Sequence, residues 1–170
     1  VLAPRADLGA LPAWRLAIVV LLSSAVLVPS AWFGLRPLHR PPVPRWVEPV
    51  MVGGCLVAMV LLALLPLLAA GEVSSGPGGW RVALPCLFGG LLLGLPAFLL
   101  LRLLDRGGRA WSILLAAGTA GLAANAALVM HCPNDSLLHQ LKGHVGAGLL
   151  FVLGVAIWRG IFLRLFAGPE

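Results

Sequence analysis

The residues able to do chemistry are gathered in one stretch, 130–144, which holds His131, Cys132, His139 and His144, three of the four histidines and one of the three cysteines. Thiolates and imidazoles are the side chains of redox exchange and of soft-metal capture, so both chemistries must pass through this polar island. Cys86 is the second thiol of interest, because it lies at a similar depth. Three readings stay open: a Cys86–Cys132 redox pair, a metal set drawn from His131, Cys132, His139 and His144, or a buried thiol with interfacial histidines. The ligand spacing matches no standard zinc pattern. His139 and His144 are five residues apart, which does not place them on one α-helical face, and Gly143 between them is expected to interrupt any helix. Asp135 and Ser136 adjoin the histidines but do not amount to a triad, so no enzymatic activity is expected; they read instead as helix caps.

The elements that hold this island are set by composition. Apolar residues make up 60% of the 170, charged residues 11%, and the mean hydropathy is +1.00, far outside the range of a soluble domain. Apolar runs fall at 15–34, 47–70, 82–102, 111–130 and 145–166, each near the ~20 residues that cross a hydrocarbon core as a helix. They show no polar alternation, which argues against a barrel. The expectation is an all-α, polytopic transmembrane helical bundle that forms a single domain over residues 1–170, with five spans in this chain.

Arg36, Arg40 and Arg45 fall between the first two spans, Arg102, Arg106 and Arg109 between the third and fourth, and Arg159 and Arg164 at the end of the fifth. Basic residues in short loops stay in the cytoplasm, so these positions and the C-terminus are expected inside. The alternate connections carry only Arg81 and Lys142, and they take the polar island outside. This bias accounts for the net charge of +6 without nucleic acid. It also places the N-terminus, with Arg5, Asp7 and Arg15, outside. An upstream cytoplasmic segment and one further span are therefore expected, six spans in the full-length protein.

Pro37, Pro41, Pro42 and Pro44 stiffen the first inner loop, and 71–79 reads as a flexible outer turn. Trp14, Trp32, Trp46, Trp80 and Trp111 stand at span boundaries, where amphipathic rings anchor. Within the spans, Gly90 and Gly94 form a small-xxx-small pair. Ala117, Gly121 and Asn125 share one face of the fourth helix, and both sets are expected to meet other helices. No span carries a central acidic or basic residue, which argues against an ion-coupled transporter. Cys55 sits near mid-membrane, away from the other two cysteines, and reads as a packing residue.

The chain resembles the NrsF-like family of membrane anti-sigma factors, negative regulators of bacterial extracytoplasmic-function sigma factors. The resemblance rests on Arg5-Ala6-Asp7-Leu8 before a span, Arg36-Pro37-Leu38 followed by prolines and Arg45, Cys86 with Gly89 and Gly90, and His131-Cys132-Pro133. It implies a multi-pass protein of the bacterial inner membrane whose cytoplasmic N-terminal segment binds the sigma factor. It also implies that Cys86 and Cys132 take part in the stress response. That segment does not appear in this sequence. The resemblance calls for no cofactor and no partner beyond the sigma factor and the lipid bilayer. The competing classes are a membrane thiol/quinone oxidoreductase, for which the usual Cys-x-x-Cys is missing, a metal-binding membrane protein, and a structural subunit with inert cysteines.

Overall fold

The computed structural model describes residues 12–34, 44, 46–70, 79–104 and 110–166. Helices α1 (Ala13–Gly34), α2 (Val47–Ala70), α3 (Trp80–Leu104) and α4 (Ala110–His131) are followed by a short α5 (Leu137–His139), a π-helical turn (Gln140–Val145) and α6 (Gly146–Phe166). The last three run on without a break, so the described residues contain five helical rods long and apolar enough to cross a membrane, and no strand. Backbone groups in such rods satisfy one another, as hydrocarbon requires.

Helix α4 is the centre of the bundle. It packs on α1, α2, α3 and α6, and 67% of its apolar window is buried against 17% for α3. Its composition explains this place: a run of Ala and Gly lets four neighbours come close, and close backbone approach is what drives helix association in lipid. Large apolar side chains of the outer helices, among them Leu21, Val28, Leu92 and Leu103, face outward. Trp14, Trp32, Trp46 and Trp80 are also exposed, while the side chain of Trp111 lies outside the described residues.

The small residues singled out from the sequence sit at these crossings. Gly90 faces Ala147 and Leu128 so closely that a Cβ would approach them at 2.7 and 2.9 Å, and Gly94 faces Ala120 and Ala124. Ala117 is fully buried. Gly121 lies against the Gly148 backbone, and Met59 fills the space beside them; a Cβ on Gly148 would run into the Met59 Sδ. Asn125 donates from Nδ2 to the Met59 carbonyl at 3.4 Å, a cross-helix bond between α4 and α2.

The fifth rod departs from the expected boundary. It begins at Leu137, not at 145, so His139, Gln140, Lys142 and His144 lie on a helix and not in a loop. Gly143 does not interrupt it. The glycine is instead where the rod meets α3, since a Cβ there would stand 3.1 Å from the Cys86 Cβ and 3.2 Å from the Ala83 carbonyl. Arg5, Asp7, Arg36, Arg40, Arg45, Arg106 and Arg109, which carry much of the sequence-based orientation, lie outside the described residues, as does most of the 71–79 turn.

Candidate functional site

At the end of the bundle where α4 turns into α5, four side chains converge. Cys86 comes from α3, near its start at Trp80; Cys132 is the first residue after α4; His139 closes α5; His144 lies in the π-helical turn. One ligand atom from each lies within 4.8 Å of all the others. Cys86 donates its S–H to the Cys132 Sγ at 3.5 Å, and the Cys132 Sγ is 3.1 Å from the His139 Nε2. Both thiols are free.

The π-turn brings the two histidines together. In an α-helix, positions i and i+5 point about 140° apart at 3.6 residues per turn. Here the chain takes the wider repeat, with the Gly146 N–H bonded to the Leu141 carbonyl five residues back. The rings of His139 and His144 then meet edge to face, 5.4 Å between centroids. The expectation that this spacing separates them is corrected on that ground: it holds for an α-helix and fails for a π-turn.

His131 stays out of the group. Its Nδ1 is 2.7 Å from the Ala127 carbonyl of its own helix. The candidate metal set of His131, Cys132, His139 and His144 is therefore replaced by Cys86, Cys132, His139 and His144. Cys55 lies apart, fully buried, with its Sγ 3.6 Å from the Ser30 hydroxyl and its Cβ against Gly118.

The turn that carries Cys132 is built from its own polar residues. The Asn134 Oδ1 accepts the Ser136 N–H at 3.0 Å, and the Asn134 carbonyl accepts from Gln140 Nε2 at 2.8 Å. Ser136 occupies the N-cap position of α5 but makes no side-chain cap bond. Asp135 pairs with Arg15 of α1 through two bonds of 2.7 and 2.8 Å, so the capping role read for these two residues gives way to an interhelical clamp. Sequence reasoning missed this pair. The only signal was that an arginine and an aspartate both belong to the same membrane face.

The electrostatics of the site are uneven. Cys132 is pushed well below the ordinary thiol range, first by the hydrogen bond from Cys86; burial acts the other way, and His139 adds to the lowering. His144 is fully buried, and neither of its ring nitrogens has a hydrogen-bond partner among the described residues. The His139 Nδ1, Gln140 Oε1 and Ser136 Oγ are likewise buried and unpartnered. Unsatisfied polar atoms cost about 1–3 kcal/mol each when buried, so such a concentration in one place calls for an explanation.

No protein-family model, curated protein or solved structure matches this chain.

Proposed function

We propose that this chain is a membrane-embedded regulator of the anti-sigma class, which holds an extracytoplasmic-function sigma factor and releases it when a thiol-directed agent acts on Cys86 and Cys132. The single observation that carries the sensing half is the 3.5 Å contact between those two free thiols. It joins α3 to the hinge between α4 and α5, so a change in its state shifts how three rods pack at one end of the bundle. The sigma-factor half rests on the resemblance read from the sequence. In this reading the site faces the outside of the bacterial inner membrane, the C-terminus is cytoplasmic, and the sigma factor is bound through an N-terminal cytoplasmic segment of the full-length protein.

In this reading the chain is a regulator and not an enzyme. Cys132 and His139 resemble a nucleophile and its base at 3.1 Å, but the His139 Nδ1 has no group among the described residues to orient it. Regulation needs only that the pair have two states.

The test is transcription from the sigma-dependent promoter in cells carrying the full-length gene, with and without a thiol oxidant. Wild type is expected to derepress, and Cys86→Ser and Cys132→Ser to lock the output. An equal response in all three strains removes the sensor assignment, and a promoter unaffected by deletion of the gene removes the anti-sigma assignment.

A further inference from the structure

We propose that Cys86, Cys132, His139 and His144 form a closed, four-ligand site for a thiophilic divalent cation of the zinc and cadmium class. The inference shares the site, but not the sigma-factor partner, with the reading above, and it adds the two histidines as ligands.

Three observations carry it. The first is geometric. Tetrahedral zinc with bonds of about 2.0–2.3 Å sets its ligand atoms roughly 3.3–3.8 Å apart. The S–S distance of 3.5 Å and the S–N distance of 3.1 Å already fall near that range, and no pair of ligand atoms in the group is more than 4.8 Å apart. The second is the orphaned chemistry. His144 is completely buried, with two unpartnered ring nitrogens in a group where every other member offers a metal-binding atom, and the His139 Nε2 already faces the Cys132 Sγ. The buried Ser136 Oγ and Gln140 Oε1, both unpartnered, belong to the same short turn.

The third is charge. Two thiolates in a buried site at the membrane edge repel each other and are costly to desolvate. A divalent cation with two thiolates and two neutral imidazoles makes a set with no net charge, and Arg15 and Asp135 close by already neutralise each other. Four protein ligands leave no open position, which is the pattern of a structural or sensing site and not of a hydrolytic one. The soft donors select zinc, cadmium and similar ions over magnesium or calcium. The π-turn has a function here: without it the imidazoles do not face the same point.

The experiment is an anaerobic Co²⁺ titration of the full chain, purified in detergent, reduced and stripped with a chelator, with the thiols counted independently. One Co²⁺ per chain is expected, with the intense absorption of a tetrahedral ion and a thiolate charge-transfer band, both erased by Zn²⁺ or Cd²⁺. His139→Ala and His144→Ala should each weaken binding by at least about tenfold, and His131→Ala should leave it unchanged. Wild type with all its thiols reduced and no stoichiometric Co²⁺ overturns the proposal, whatever the variants do. So does a spectrum that survives removal of both histidines, which would mean adventitious capture by two thiols. Metal binding with an unresponsive promoter would sink the regulatory reading alone; a responsive promoter with no metal binding would sink this one alone.

Discussion

Arg15 and Asp135, 120 positions apart in the chain, grip each other through two parallel hydrogen bonds of 2.8 and 2.7 Å. The guanidinium is almost wholly buried and the carboxylate partly so. Through this fork α1 holds the turn that carries Cys132, although α1 contributes no residue to the four-residue cluster.

Breaking the fork should cost stability in a way that repairing its charge balance reverses in part. Arg15→Gln removes the guanidinium charge and weakens its fork with the carboxylate, and a loss of about 2 kcal/mol is expected, below the 3–5 kcal/mol typical when a fully buried pair loses one partner. The Arg15→Gln, Asp135→Asn double variant should lose less than the two single losses added together. Chemical unfolding in detergent reads the cycle, and strict additivity would mean that the two groups do not interact.

Oxidation should join one particular pair. The Cys86 and Cys132 sulfurs need to approach from 3.5 Å to the ~2.05 Å of a disulfide, while Cys55 is fully buried elsewhere. A mild thiol oxidant, itself reduced, should remove two electrons and two protons from the pair and leave Cys55 as the one alkylatable thiol after denaturation. Peptide mapping that finds Cys55 in a bridge would contradict the geometry.

The two outer thiols should differ in their response to pH. An ordinary thiol near pKa 8.5 loses about tenfold in alkylation rate per unit as pH falls below that value. Cys132, with its pKa lowered first by the Cys86 bond, should stay thiolate over that window and alkylate at a nearly constant rate between about pH 8 and pH 5 in the wild type, read by peptide mapping, while Cys86→Ala, which removes that bond, should restore part of the pH dependence. In the wild type the same lowering stabilises the fold fully above the unfolded thiol value, and that contribution declines as pH falls toward the folded one. A rate for Cys132 that follows the ordinary thiol curve in both backgrounds would remove the electrostatic account of the site.

Two glycines of α6, one at its crossing with α4 and one away from it, should separate cleanly. Gly148→Ala drives a Cβ into the Met59 Sδ and should cost about 1–3 kcal/mol as an overpacked site. Gly154→Ala, on the same helix with nothing within 4 Å, should be neutral or slightly stabilising. Thermal unfolding of the two variants side by side is the check, and equal effects would mean the crossing is not tightly packed.

Much of the architecture was legible because hydrocarbon imposes it. Runs such as 47–70 and 111–130 have one stable form in lipid, and their small residues, Gly90, Gly94, Ala117, Gly121 and Asn125, sit where helices cross. The shared depth of Cys86 and Cys132 followed from counting along antiparallel rods. What stayed hidden depended on local backbone choices or on distant pairing. Nothing in Gln140–Val145 announces a π-turn, because its hydrogen bonds are decided by what the turn packs against. Gly143 read as a helix breaker because its use as a contact with α3 needs α3 to be in place. His131 and His139 are equivalent by type and differ only in that one points back along its own helix.

The wide turn between α5 and α6 also fixes the rotational phase of everything that follows it. It acts as a shim of one residue: drawn back into an ordinary α-helix, it would swing α6 by about 100° about its own axis. Ala147 and Gly148 would leave their seats against Gly90 and Gly121. The alignment of two imidazoles at one end and the close fit of α6 along its length are thus a single setting, and neither can be altered without resetting the other.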